Sequence, residues 1–243
     1  MKHQLSPHRQ RGLSIVEFMV GIAIGLFVVV GAAKLFADFV VSNKRLMLET
    51  RVNQDLRAAA DIVARDLRRA GYWNNATAGV WGTGATAIVP NPHATGAGAV
   101  TSTGTNVSYS YARAGAAQLD GLDASEYAGF QQVLVNGINV LQVQDGQGSW
   151  QAVTDPGTVN VTTFSVTAIS PALVNDLSSY CGCLTRLTCT LASIAATGTP
   201  PTLTIPGFNI VLTGQSVADP TIQRTMNESV RVRNASLAGT CPP

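Results

Sequence analysis

One apolar run near the N-terminus limits what this chain can fold into. The segment RQRGLSIVEFMVGIAIGLFVVVGAA covers residues 9–33. Its apolar part, residues 13–33, would be about 31 Å long as a helix, which is enough to cross the hydrocarbon core of a bilayer. Because Lys2, Arg9 and Arg11 precede this part, we expect the N-terminus to stay cytoplasmic and the remainder of the chain to be exported.

A single carboxylate, Glu17, interrupts the apolar run. Charged groups within a membrane are costly and are usually functional. A secretory signal peptide is the simplest alternative, but the run exceeds the usual ~7–15 apolar residues and helical periodicity continues past its end. A plain single-span anchor leaves Glu17 unexplained, unless its side chain reaches the cytoplasmic headgroups from the first turn of the helix.

The helix is predicted to continue beyond the apolar run as an amphipathic segment over residues 42–70. Apolar side chains recur there at spacings of three and four, at Val52, Leu56, Ala59, Val63, Leu67 and Ala70. The charges between them are spaced for ion pairs one turn apart, namely Arg51–Asp55, Arg57–Asp61 and Asp61–Arg65. Gly71 is a suitable stop, so one helix would run from residue 13 to residue 70, roughly 87 Å.

The composition changes after Gly71, where Gly, Thr, Ser, Val, Asn and Ala dominate. This is typical of an exported, β-rich domain with many turns. Alternating or apolar runs predict strands near residues 107–112, 132–143 (with an Asn136-Gly137 hairpin turn), 159–168, 202–205, 208–212 and 229–233. We therefore predict an α+β fold, in which the long helix covers one face of an antiparallel sheet.

Charge is distributed unevenly along the chain. Residues 1–70 carry a net charge of +5 and the remainder carries −3. Nucleic-acid binding is disfavoured, because the cations lie before the apolar run or among carboxylates on the predicted helix.

All four cysteines lie in the C-terminal third of the chain, at Cys181, Cys183, Cys189 and Cys241. An even number in an exported domain predicts two disulfides, with the pairing open except that Cys181 and Cys183 are too close together to pair easily. A zinc site with four thiolate ligands is the competing interpretation, which the absence of paired C-x2–4-C knuckles disfavours.

The sequence offers little support for an enzyme, and no cofactor is predicted. Of its three histidines, His3 and His8 precede the apolar run, and His93 lies in a Pro/Gly-rich loop where a solvated side chain is expected. Hydrolytic triads therefore lack a histidine partner. Three acids, Asp120, Asp123 and Glu126, could form an oxygen-rich calcium site, but a solvated acidic loop is favoured because their spacing matches no defined calcium loop.

The segment Gly12-Leu13-Ser14-Ile15-Val16-Glu17 resembles the type III signal of type IV prepilins. The resemblance implies cleavage by prepilin peptidase between Gly12 and Leu13, and methylation of the new N-terminus at Leu13. The family usually has Phe at that position. Glu17 would be the fifth residue of the mature chain, and its carboxylate would pair with the N-terminal ammonium of a neighbouring subunit, which sets the register of the filament.

Three further segments resemble PilW-type minor pilins and the related J-type minor pseudopilins of type II secretion. They are RDLRRAGYW (65–73), LVNGINVLQVQDG (134–146) and QRTMNESVRVRNASL (223–237). This chain departs from the shared pattern at Asp145, where an aromatic residue is usual, and in its cysteine cluster, which the pattern lacks. It implies a leader at 1–12, a long helix at 13–71 (a transmembrane half near 13–36 and an amphipathic half near 42–70) and a β-rich head at 72–243.

By this resemblance, the chain is a minor pilin that is anchored in the inner membrane and then incorporated in a pilus used for twitching motility. It would join a complex of minor pilins that primes assembly, with the tip as a candidate position. The implied partners are other minor pilins, the major pilin, prepilin peptidase, the inner-membrane assembly platform and a PilY-type tip adhesin. The alternatives are a J-type pseudopilin and, from another class, a membrane-anchored periplasmic ligand-binding protein.

Overall fold

A computed structural model describes residues 12, 14–79, 91–113, 122–146, 148–177 and 201–239. The chain divides into two compact units, Met1–Met47 and Leu48–Pro243. One helix, α1 (Ile15–Leu67), contributes its first part to the N-terminal unit and its last part to the C-terminal unit.

The C-terminal unit contains eleven strands within the described residues. They are β1 (Thr101–Thr103), β2 (Asn106–Ser110), β3 (Tyr127–Val135), β4 (Ile138–Asp145), β5 (Ser149–Ala152), β6 (Val159–Ala168), β7 (Leu173–Asp176), β8 (Thr202–Ile205), β9 (Gly207–Ser216), β10 (Gln223–Arg231) and β11 (Ser236–Ala238). Short 3-10 turns occupy Ala76–Gly79, Gly96–Gly98 and Ala124–Glu126.

These strands form three antiparallel sheets, with orders β1-β2-β3-β4-β5, β10-β9-β6 and β11-β8-β7. Side chains of two sheets bridge their facing strands: the Gln132 amide donates to the Val161 carbonyl at 2.7 Å, and Asn160 Oδ1 accepts from the Asn139 N–H at 2.9 Å. The predicted hairpin is confirmed, because β3 and β4 pair on either side of Asn136-Gly137, where both residues have positive φ.

The last part of α1 packs on the sheets as its periodicity predicts. Its buried residues are Val52, Leu56, Ala59, Ala60, Val63, Ala64 and Leu67. They share one hydrophobic core with strand residues that include Phe130, Phe164 and Leu212. The helix approaches β9 so closely that a Cβ at Gly214 would lie 2.9 Å from Leu56 Cδ2. The α+β prediction is therefore confirmed.

The helix ends three residues earlier than its pattern predicts. After Leu67, the Arg69 and Ala70 N–H groups donate to carbonyls three residues back, and the chain reverses at Gly71, whose φ is +72°. Bonds of this type tighten the last turn of a helix and use carbonyls that would otherwise lack partners.

Four strands, β1, β5, β7 and β11, were not predicted, and β10 begins six residues before the predicted start at residue 229. Each of the four has only three or four residues, too few to show a clear alternation. The start of β10, QRTMNE, has Met226 as its one apolar residue, so its strand character comes mainly from pairing with β9.

Candidate assembly sites

The N-terminal unit presents an apolar surface on every side of its helix. Large apolar side chains from Ile15 to Val41 are exposed, and Phe27 is the most exposed of them at 83%. This is the one helix in the described part that is long and apolar enough to cross a membrane. A helix that is apolar all round needs either lipid or other apolar helices around it.

Glu17 lies in the first turn of this helix, where the Phe18 N–H donates to the Ser14 carbonyl at 3.0 Å. A carboxylate near a helix N-terminus is favoured by the free N–H groups there. Gly12 is exposed, and apart from its two chain neighbours nothing lies within 4 Å of the position a Cβ would take. Leu13 lies outside the described residues.

In the C-terminal unit, four polar groups hold the end of α1 onto the head. The Asn234 side-chain amide donates to the Ala70 carbonyl at 3.0 Å and the Arg69 carbonyl at 3.4 Å. The Arg233 N–H donates to the Arg68 carbonyl at 3.2 Å. The remaining two bonds involve Gly71, whose carbonyl accepts from Asn91 Nδ2 (2.8 Å) and whose N–H donates to the Ser110 carbonyl (2.9 Å). We call this set of bonds the helix-end clamp.

Side chains of the last helical turns also contact two tyrosines, Tyr109 in β2 and Tyr111 just after it. Asp66 accepts a hydrogen bond from the Tyr109 hydroxyl through Oδ2 and from Arg69 through Oδ1. Burial and the Asp66 carboxylate raise the pKa of Tyr109 well above 10, so this hydroxyl keeps its proton and remains a donor. The Arg69 and Arg113 guanidinium carbons lie 4.3 and 5.1 Å from the centre of the Tyr111 ring, within cation–π range.

The prediction of a solvated His93 is wrong. His93 is 2% exposed, and its Nδ1 lies 2.9 Å from Ser110 Oγ. Ser110 gives its single hydroxyl hydrogen to the Gly98 carbonyl, so the geometry assigns the imidazole hydrogen to Nδ1. The other nitrogen, Nε2, faces Glu126 Oε1 at 3.9 Å. A Cβ at Gly98 would lie 2.8 Å from Ser110 Oγ, so only glycine fits there.

This serine, histidine and carboxylate do not form a hydrolytic triad. A triad serine donates its proton to the histidine, whereas Ser110 accepts from His93. All three side chains are buried, with at most 2% exposed. The group is instead adjacent to the helix-end clamp, since the His93 N–H donates to Oδ1 of the clamp residue Asn91 at 2.9 Å.

Two of the three acids considered for calcium binding have local structural roles. Asp123 and Glu126 form a capping box at the Ala124–Glu126 turn, in which Glu126 Oε2 accepts from the Asp123 N–H at 3.0 Å. The expected solvated loop is wrong for Glu126, which is 1% exposed and faces His93. Asp120 lies outside the described residues, as do all four cysteines. Among the residues described, no group of three or more His, Cys, Asp and Glu side chains could hold a metal ion.

The charges along the amphipathic part of α1 contact the head. Asp55 accepts from the Thr158 hydroxyl at 2.9 Å, and Arg51 lies 4.0 Å from Asp155 rather than pairing with Asp55. Two further pairs join the helix to β10, namely Glu49–Arg224 (2.8 Å) and Arg68–Glu228 (3.7 Å). These partners are distant in the sequence, so helical spacing could not indicate them.

The clamp predicts that Asn234→Asp destabilises the head. The carboxylate would place acceptor oxygens against the Arg69 and Ala70 carbonyls, and we expect a loss of about 1–3 kcal/mol in the free energy of unfolding. Denaturant unfolding of the detergent-solubilised chain measures it. Asn209→Asp, at an exposed position of β9, is the matched control. Equal effects of the two substitutions would contradict the clamp.

His93 predicts a pH dependence between pH 7.5 and 5. Burial lowers the pKa of His93 below 6.5, an effect that Glu126 partly opposes, so folding favours the neutral imidazole. Its contribution to stability is therefore complete above about pH 6.5, the pKa of an unfolded histidine, and declines as the pH falls toward the folded pKa. We expect the midpoint of unfolding to decrease in the wild type as the pH is lowered, and to decrease less in His93→Gln. Identical pH profiles would contradict this assignment.

The comparisons with known proteins agree with this architecture. The family model described as prepilin peptidase-dependent protein B matches residues 45–232. No curated protein and no solved structure matches the chain. The matched region covers most of the amphipathic part of α1, the clamp except for its two C-terminal residues, and ten of the eleven strands. The chain belongs to the prepilin peptidase-dependent protein B family and is a type IV pilin-like protein.

Proposed function

We propose that this protein is a minor pilin of the type IV pilus, processed at Gly12 and incorporated in a complex that primes filament assembly. The observation that carries the proposal is the agreement between two separate parts of the chain. The family match begins at residue 45, whereas the leader, the Gly12-Leu13 junction and Glu17 all precede it. Neither part depends on the other, and both favour a prepilin.

Cleavage between Gly12 and Leu13 removes a basic leader and leaves Leu13 as the methylated N-terminus. The exposure of Gly12 and the start of regular helix at Ile15 support this position, because a peptidase needs an accessible, non-helical segment. The mature chain then begins with the apolar part of α1. Before assembly this part spans the inner membrane, with the head in the periplasm, and after assembly it fills the filament core.

Glu17 sets the register of the subunit in the filament. Its neighbours on the helix, Val16 and Phe18, are apolar and more than 60% exposed. Neither can pair with the carboxylate when this part of the helix enters lipid or a helical core. The ammonium group of Leu13 on an adjacent subunit would neutralise it. Since an unpaired charge is costly in such surroundings, this pairing favours one axial offset between subunits over others.

The proposed partners follow from the PilW-type resemblance. They are other minor pilins, the major pilin, prepilin peptidase, the inner-membrane assembly platform and a PilY-type adhesin at the tip. In the exported head, Cys181, Cys183, Cys189 and Cys241 are proposed to form two disulfides. A J-type pseudopilin of type II secretion is the related alternative. A deletion strain separates the two, because loss of twitching motility with intact secretion supports the pilus and the reverse supports the secretion system.

Glu17→Gln tests the register proposal, since it removes the charge and keeps the size of the side chain. We expect processing to continue and incorporation into sheared pili to fall at least about tenfold, the effect of losing 1.4 kcal/mol of subunit pairing. Immunoblots of pilus and membrane fractions measure it, with Ser14→Ala in the same segment as the control. Wild-type incorporation of Glu17→Gln would favour a membrane-anchored ligand-binding protein instead.

A further inference from the structure

The strand β10 has one edge that no other described strand covers. It pairs with β9 along all nine of its residues in one continuous register, from Gln223 opposite Gln215 to Arg231 opposite Gly207. No bulge interrupts this ladder. In the described chain, β9 is its one partner, so the backbone groups on the other side of β10 have no strand to bond.

The register shows which backbone groups face outward. Val232, the next residue after β10, lies opposite Pro206 and donates its N–H to the Pro206 carbonyl at 3.0 Å. Backbone groups of successive residues in an antiparallel ladder point alternately toward and away from the partner. The even-numbered residues of β10 therefore bond β9, and the odd-numbered residues point outward. Arg233 fits this alternation, because its N–H points away from β9 to the Arg68 carbonyl.

The side chains along this edge do not protect it. Exposed sheet edges in proteins are usually blocked by proline, a bulge or charged side chains. The exposed side chains of β10 are uncharged over seven residues, at Gln223, Thr225, Asn227 and Ser229, and a charge appears only at Arg231. The other charges, Arg224 and Glu228, lie on the helix side of the strand, in the ion pairs with α1 described above.

We propose that the free edge of β10 binds an extended strand of a neighbouring pilin-like subunit other than a second copy of this chain. This inference rests on the proposed function and identifies the surface through which the head joins its complex. The partner strand would bond the outward N–H and C=O groups of Thr225, Asn227, Ser229 and Arg231, a mode of recognition known as β-augmentation. Its side chains beside residues 225–229 would be uncharged, and a carboxylate would face Arg231.

The direction of α1 argues against a second copy as the partner. The helix runs in the same direction as β10, since Glu49 pairs with Arg224 and, further along both elements, Arg68 pairs with Glu228. Antiparallel pairing of β10 with the β10 of a second copy would therefore reverse one helix relative to the other. Subunits of one filament share a polarity, so that arrangement does not fit an assembled pilus.

Amide hydrogen exchange tests the proposal with an internal control. We would compare the detergent-solubilised full chain with the complex purified from cells through a tag on this chain. The Met226, Glu228 and Val230 amides should be protected in both samples, because they bond β9. The Thr225, Asn227 and Ser229 amides should exchange at least about tenfold more slowly in the complex.

Three other outcomes of the exchange experiment would overturn the proposal. In a chain cleaved at Gly12, fast exchange of the outward amides in the complex overturns it and leaves the proposed function standing. Protection that rises with concentration in the solubilised chain alone identifies a second copy as the partner. A chain that still begins at Met1 contradicts both the proposed function and this inference.

Asn227→Pro provides a second, independent test. Proline removes the outward N–H of Asn227 and no bond to β9, and edge strands tolerate proline in such positions. We expect the variant to be processed and to unfold cooperatively, but to recover at least about tenfold less of the partner pilin, identified by mass spectrometry, than Asn227→Ala. Equal recovery of that pilin by the two variants would overturn the proposal.

Discussion

The helix-end clamp is the interaction on which the head depends. A helix leaves its last carbonyls without intrahelical partners, and burying them unsatisfied is costly. Here the 3-10 turn after Leu67 uses two of them, and Arg233 and Asn234 supply donors to the Arg68, Arg69 and Ala70 carbonyls. Because these donors lie near the opposite end of the head sequence, they tie the end of the helix to the segment that follows β10.

The two parts of α1 differ in how their apolar side chains are covered. Up to residue 47 its apolar side chains are exposed, and they require a membrane or neighbouring helices. From residue 48 onward, most apolar residues from Val52 to Leu67 form a single buried stripe, whereas Ile62 is exposed. The charges beside this stripe pair with β10 and with the turn at Asp155. This division suits the proposed minor pilin, which would first be anchored in the membrane and later assembled.

Local patterns made most of the fold predictable. The three-four spacing from Val52 to Leu67 gave the buried face of the helix, and Asn136-Gly137 gave the β3–β4 hairpin, because both signals arise from neighbours in the sequence. The resemblance at residues 65–73 and 223–237 indicated two of the segments that form the clamp, but not those of Asn91 and Ser110. It did not indicate the contacts, since Asn234 and Ala70 are 164 residues apart.

The buried polar cluster shows where such patterns cease to be informative. His93 lies in a Pro/Gly-rich loop that suggests exposure, yet Ser110 and Glu126 enclose its ring from two other segments. No spacing within the sequence links these residues. Gly98 was the one available signal, because a glycine flanked by small residues can mark a close approach of two backbones. The strand β10 was underestimated for a similar reason, since its pairing partner, not its composition, makes it a strand.

The central claim is that this chain is a prepilin cleaved at Gly12, and one measurement tests it most directly. The N-terminal sequence and intact mass should be determined for the chain from cells with and without prepilin peptidase. We predict a chain that begins at methylated Leu13 when the peptidase is present and at Met1 when it is absent. An intact Met1 in both strains, or a cut near Ala33, would contradict it.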